Sequence, residues 1–242
     1  MPDIMKPFVC IISVLACLTV SGHSAASLNV NEYRFHSLPE TSYYAGIHSI
    51  AKDSIGRIWF SGSDAVYMYD GIAFNRCNDR ITGFAPDSWW TFLQIVKAGD
   101  GNIYVGTNHG LMRYDYAGTE FIRITDGSIS FLTTDEAGTV WMIRNDSIES
   151  WSVSGGNRSR KYPFESDMKV RPLTLTMACA GGDVWVASDG VLYRLDSASG
   201  KYSLFTDFRS SECLVRDVKV YDSDIYVLTA KEGIFRFSGG AG

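Results

Sequence analysis

An apolar residue followed by an aromatic one recurs five times along this chain, as Ile58-Trp59, Ile103-Tyr104, Val140-Trp141, Val184-Trp185 and Ile225-Tyr226, at spacings of 45, 37, 44 and 41 residues. Self-similarity at a fixed period outranks any single motif, because each repeat is one supersecondary unit and the fold must stack them. Two residues before the pair stand Gly56, Gly101, Gly138 and Gly182, with Ser223 breaking the series, and five residues before it Asp53 and Asp135 recur. Asp at the first position and Gly at the fourth suit a type I turn. That Asp therefore reads as a turn residue, not a catalytic acid. Each turn is preceded by an apolar pattern, such as Ile47 with Ile50 or Phe92 with Ile95, and followed by "AVYMYD" (65–70), "GLMRYD" (110–115), "SIESW" (147–151), "VLYRLD" (191–196) or "GIFRF" (233–237). A fourth strand follows around Phe74, Phe121 with Ile122, Tyr162 with Phe164, and Tyr202 with Leu204 and Phe205.

Each unit thus has strands A, B, C and D separated by Gly, Asp and Ser turns, and no window holds a helical period. The fold class is all-β: a β-propeller of four-stranded antiparallel blades, with repeats over 33–78, 90–125, 127–165, 172–206 and 213–238. "EYRFHSL", Glu32 to Leu38, reads as an outer strand with no blade of its own, and the fifth unit stops after strand C. A closed five-bladed ring and the first five blades of a seven-bladed one both fit. The recurring Trp59, Trp141 and Trp185 read as packing between blades, since a residue present in most units cannot define one site.

The first segment differs in kind. Met1 to Lys6 is short and weakly basic, Phe8 to Val20 is a thirteen-residue apolar run, and Ser24-Ala25-Ala26 supplies small residues for cleavage. This reads as a signal peptide over 1–26 followed by a propeller over 27–242, exported or periplasmic. An uncleaved anchor and, from "VLAC" (14–17), a lipoprotein cleavage box stay open. Cys77, Cys179 and Cys213 remain after the signal, with no CxxC spacing, and read as small buried residues. A formal net charge of −5 with scattered Lys and Arg gives no footprint for a phosphate backbone, so nucleic acid is excluded as a partner.

"YRFHSLPE", "IHSIAKDSIGRIWFSGSDAVYMYDGIAF" and "GNIYVGTNHGLMRYD" resemble the two-component regulator propeller repeat, which runs approximately V-x-x-I-x-x-D-x-x-G-x-L-W-I-G-T-x-x-G-L-x-x-Y-D. The chain is similar in particular to the N-terminal sensor region of hybrid two-component systems from gut Bacteroidetes. The likeness covers about 33 to 237, sharp in units one and two and degraded in the others, where "MIRND", "VASDG" and "VLTAKEG" replace the Gly-Thr pattern. The resemblance implies a periplasmic sensor of oligosaccharides, attached to the inner membrane in a full-length receptor. The remainder of a sensor kinase, a sister propeller chain or a second copy of the chain would be its partner. No kinase follows in this sequence, so no enzymatic activity is expected of it.

Chemistry is sparse. No HExxH, paired His or Cys-His set provides a metal site, and no phosphate loop or nucleophile elbow occurs; no cofactor is expected. Asp100-Gly101-Asn102 resembles a fragment of a calcium loop without its later ligands, and a tight turn accounts for it. Binding is easier to place: with A innermost, the D-to-A connections and the B-to-C turns open on one face, where loops on a rigid scaffold carry function. The candidate ligand-binding residues are Asp64, Asp87, Trp89, Asn108, His109, Arg144, Asn145 and Asp189. Trp89 beside Asp87 is the strongest pairing, because a sugar offers an apolar face to an indole and hydroxyls to carboxylates. Trp90, in step with Phe92, reads as core. A secreted propeller lyase or glycosidase, and a scaffold without a small ligand, are the competing classes.

Overall fold

The computed structural model describes residues 46–85, 89–152, 158–168, 170, 175–209 and 213–238. All of them belong to one compact unit, Tyr43–Gly242. The signal segment and the Glu32–Leu38 strand reading lie outside the described residues.

Within this unit the chain makes a succession of antiparallel meanders. The first sheet holds β1 (Ile47–Lys52), β2 (Ile58–Gly62), β3 (Val66–Tyr69) and β4 (Phe74–Arg76). The second holds β5 (Phe92–Lys97), β6 (Ile103–Thr107), β7 (Gly110–Asp115) and β8 (Glu120–Thr125). The third holds β9 (Ile129–Thr134), β10 (Val140–Arg144), β11 (Ser147–Ser152) and β12 (Arg158–Pro163). The fourth holds β13 (Thr176–Ala180), β14 (Asp183–Ser188), β15 (Val191–Asp196) and β16 (Lys201–Asp207). Among the described residues the fifth has three strands, β17 (Val215–Tyr221), β18 (Asp224–Thr229) and β19 (Gly233–Phe237). Their positions coincide with the A, B, C and D segments expected from the alternation.

The first strands of consecutive sheets lie side by side, β1 against β5, β5 against β9, β9 against β13 and β13 against β17. Side chains stitch this inner row: Ser49 Oγ donates to the Ile95 carbonyl at 3.2 Å, Ser61 Oγ to the Leu93 carbonyl, and Thr176 Oγ1 to Asp217 Oδ1 at 3.2 Å. The Leu132 amide in turn donates to Gln94 Oε1 at 3.2 Å. Irregular register at Ile47/Ser49 in β1 and Phe92/Ile95 in β5 marks bulges near the start of these strands. Bulges of this kind bend a strand and re-aim its groups.

The repeated pair is the joint between sheets. Its aromatic member points forward and its aliphatic member points back, because successive side chains on a strand face opposite ways. Trp59 packs on Tyr114 and Phe121 of the second sheet, with ring centroids at 4.6 and 5.8 Å. Ile103 shares that cluster from the other side. Tyr104 meets Leu132 and Val140 of the third sheet, Trp141 meets Met177 and Val184 of the fourth, and Trp185 meets Val218 and Ile225 of the fifth. Each buried Ile or Val here contributes about 2 kcal/mol. The expectation that the tryptophans pack between blades holds.

Asp53 does more than make a turn. Its Oδ1 accepts from the amides of Ile55 and Arg57 at 3.1 and 2.8 Å, which closes the turn in which Gly56 takes φ +96°. Its Oδ2 accepts from Arg57 Nε at 2.8 Å, Trp59 Nε1 at 2.9 Å and, from the second sheet, Tyr116 Oη at 3.2 Å. The third sheet repeats the device: Asp135 accepts from the Thr139 amide and from Trp141 Nε1, both at 2.8 Å. In the fourth sheet the connection from β13 to β14 shrinks to Gly181-Gly182, and among the described residues Trp185 Nε1 has no partner. In the fifth, Asp222 and Ser223 hold φ +49° and +66°, so the left-handed turn persists where glycine is missing. The turns also touch across sheets: the Gly99 amide donates to the Gly138 carbonyl at 2.9 Å, and a Cβ on Gly138 would stand 2.2 Å from Gly99 Cα.

Burial would by itself raise the Asp53 pKa, but hydrogen bonds from Trp59 and Arg57, with the charge of Arg57, outweigh it and hold the carboxyl below its ordinary 3.8. A pKa depressed on folding adds stability that is present above the unfolded value and lost as pH falls through the folded one. Asp53→Ala should therefore cost about 3 kcal/mol near neutral pH by urea unfolding, since it strands a largely buried guanidinium and an indole N–H. Asp53→Asn should flatten the loss of stability of the wild type below about pH 4, measured as urea midpoint against pH.

Candidate functional site

The connections from second to third strands (63–65, 108–109, 145–146, 189–190 and 230–232) and those between sheets (77–91, 126–128, 164–175 and 208–214) bond to one another. Asn78 Nδ2 donates to the Asp64 carbonyl at 2.8 Å, Arg144 Nη1 to the Asp126 carbonyl at 2.9 Å, and the Phe208 amide to the Gly190 carbonyl at 2.8 Å. The two sets of loops therefore share one face, as strand direction requires.

The longest of these connections, 77–91, builds the most developed part of that face. It opens with a 3-10 turn, Asn78–Arg80, anchored by buried Asn78, whose Oδ1 accepts from the Val66 amide at 3.1 Å. Cys77 beneath it is fully buried, and burial pushes its thiol up to about 11, so it stays protonated and inert. Asp64 accepts from Tyr67 Oη at 3.2 Å and pairs with Arg76 Nη2 at 3.4 Å. Beside this pair lies an open groove of about 620 Å³ lined by Arg76, Asn78, Asp79 and Phe84. Its size falls within the range of small-molecule sites.

Phe84 continues inward onto Trp90, centroids 5.5 Å apart, and Trp90 lies 4.2 Å from the ring of His109. Trp90 is buried at 6% exposure and belongs to the core between the first two sheets, while its neighbour Trp89 is 80% exposed. The Trp89 carbonyl accepts from Asn108 Nδ2 at 2.9 Å and from His109 Nε2 at 3.2 Å. The sequence expectation for this tryptophan pair, one inside and one outside, matches the structure. Asp87 lies outside the described residues.

The candidate residues do not all serve alike. Trp89, Asn108 and His109 come together, whereas Asp64 is joined to Arg76 and Asn78. Arg144 is tied to Glu149, its Nη2 and Nε at 2.6 and 3.0 Å from Oε2, and Glu149 is buried. Asn145 and Asp189 occupy φ +55° and +51°. Asn and Asp are the non-glycine residues that best tolerate this left-handed region, so the turn is one reason for both residue types. The groove residues Asn78, Asp79 and Phe84 were not singled out in the sequence, although the D-to-A connections as a class were. Nothing local distinguishes a loop residue that lines a groove from one that faces solvent. Among the described residues no group of three His, Cys, Asp or Glu side chains is placed to hold a metal ion, and the cysteines are free.

No family model matches the chain, and no curated protein does. Solved structures match its fold. The extracellular domain of a hybrid two component system from B. thetaiotaomicron superposes with a TM-score of 0.62 at 18% identity, over 83% of this chain and 28% of that one. A second such extracellular domain from the same organism gives 0.56 at 15% identity, over 84% and 35%. Virginiamycin B lyase from Staphylococcus aureus gives 0.56 at 12% identity, over 82% and 71%. The chain thus spans about a third or less of the two sensor ectodomains. At these identities the likeness defines the class of fold: an all-β, propeller-like array of four-stranded antiparallel sheets. Among the described residues no helix is long and apolar enough to cross a membrane.

Arg144→Ala should cost about 3 kcal/mol in urea unfolding, because it leaves Glu149 charged and buried without its cation. Replacing both residues together, with Arg144→Met and Glu149→Leu, should recover most of that loss.

Proposed function

We propose that this chain is the extracytoplasmic, ligand-sensing propeller of a two-component signalling receptor, responding to oligosaccharides without catalysis of its own. The observation that carries the reading is Trp89: an indole 80% exposed on the loop face, on the same connection as the groove. Leaving so large an apolar side chain in water forgoes the gain of burying it, and a ring ligand recovers that gain. A pyranose suits such a side chain, with its C–H face on the indole, and the groove on the same connection offers polar groups, Arg76, Asn78 and Asp79, to further sugar hydroxyls of an oligosaccharide. The resemblance of the repeats and the likeness of the fold to the two sensor ectodomains support the assignment to signalling. In this reading the chain is exported to the periplasm by its first 26 residues, and its sheets belong to a ring of five or seven blades. Its partner is the remainder of a sensor kinase, a sister propeller or a second copy.

Calorimetry against cellohexaose, maltohexaose, xylohexaose and hexagalacturonate tests the reading. One of these should bind in the micromolar to millimolar range, and Trp89→Ala should weaken it by about tenfold or more, as loss of a stacking anchor does. Cleavage of a hexasaccharide by the wild-type protein would replace the sensor by a propeller lyase or glycosidase. Binding unaffected by Trp89→Ala would remove this face as the site.

A further inference from the structure

Trp89 is exposed, yet the backbone that carries it is held on several sides by the turn between β6 and β7. Asn108 uses both ends of its amide there: Oδ1 accepts from the Thr91 amide at 3.0 Å, and Nδ2 donates to the Trp89 carbonyl at 2.9 Å. The Asn108 amide donates to the Thr91 carbonyl at 3.4 Å. His109 Nε2 lies 3.2 Å from the Trp89 carbonyl, and since a carbonyl only accepts, that nitrogen carries the proton. The turn is itself fixed, because Thr107 Oγ1 accepts from the His109 amide at 3.1 Å and donates to the Gly110 carbonyl at 2.8 Å. Beneath, the His109 ring lies 4.2 Å from buried Trp90.

We propose that Asn108 and His109 are positioning residues that present the Trp89 indole to a ring-shaped ligand, and that neither contacts the ligand itself. Ordering one backbone residue costs about 1–2 kcal/mol of conformational entropy, a cost that binding would otherwise bear. The turn bears it during folding, so the backbone under the indole is fixed before the ligand arrives. The two polar side chains are engaged by the loop: both ends of the Asn108 amide are hydrogen-bonded there, and the His109 Nε2–H donates to the Trp89 carbonyl. This inference rests on the reading of Trp89 as the stacking platform.

The test uses the full chain labelled with 5-fluorotryptophan, with the Trp89 resonance assigned by its loss in Trp89→Phe. In Asn108→Ala and His109→Ala the Trp89 fluorine signal should move toward its position in the urea-unfolded protein, while the signals of Trp59, Trp141, Trp151 and Trp185, which do not touch His109 as Trp90 does, stay in place. His109→Gln, which keeps a donor, should retain most of the native shift. For the hexasaccharide that binds, Asn108→Ala should weaken affinity about fivefold to tenfold, in line with the cost of immobilising a side chain, and His109→Gln should restore more than His109→Ala. A Trp89 signal unmoved in both alanine variants, with binding still dependent on Trp89, would overturn the positioning role and leave the platform standing. A signal that moves while none of the four hexasaccharides binds the wild type would overturn the platform and the ligand-presenting role with it.

Discussion

Each sheet described in this chain is a three- or four-stranded surface that is marginal alone, and the joint that lets it persist is the aliphatic–aromatic pair at the start of its second strand. One member packs backward and the other forward, so in the second, third and fourth sheets a single dipeptide ties the sheet to both neighbours. In the first and third sheets the joint is locked by a carboxylate: Asp53 and Asp135 each accept the indole N–H of the tryptophan they precede. Burial of the large aromatic then leaves no polar atom unpaired, which would otherwise cost about 1–3 kcal/mol. Arg57 reinforces the first joint, its guanidinium 5.3 Å from the Trp59 ring and 4.9 Å from the Tyr116 ring. The fourth sheet shows what happens without the carboxylate. There Asp183 pairs with Arg194 at 2.7 Å, the guanidinium sits 5.7 Å from the Trp185 ring, and the indole N–H is left without an acceptor among the described residues.

This joint has a consequence for function. The repeated joint sits in the second strands and the turns at one end of the sheets, so the loops at the other end can differ from sheet to sheet. The 77–91 loop sends Trp90 into the core and still carries a groove, an exposed indole and closely paired charges. The bulges near the starts of β1 and β5 lie at that same loop end. A rigid stack with variable loops at one end is how propeller-like scaffolds keep one architecture while their ligands differ.

Much of the fold was legible because its signals are local. The alternation of "GLMRYD" and "VLYRLD" defines β7 and β15 to the residue, and Gly56 and Gly138 mark turns because few other residues reach their dihedrals. Ser223 broke the pattern in sequence without breaking it in space, since two adjacent residues shared the left-handed conformation. The site was less legible. Asn145 and Asp189 suit a ligand contact by type and position, and they equally suit the left-handed backbone they occupy. Arg144, a candidate for ligand contact, is engaged by Glu149 on the neighbouring strand β11. Trp89 and Trp90, adjacent and identical, were separated correctly because strand alternation assigns one to each side.

Strands, turns, repeat and the end of the sheets at which the loops gather were readable from residue types alone, because all four follow from periodicities of two residues and of about forty. Which polar side chains are spent on the scaffold follows instead from the packing of one sheet against the next. Asp53 meets Tyr116, Asn108 meets Trp89 and Arg144 meets the Asp126 carbonyl across connections of 63, 19 and 18 residues. Such pairings depend on how consecutive sheets are set against each other, and no local pattern of residue types encodes that distance.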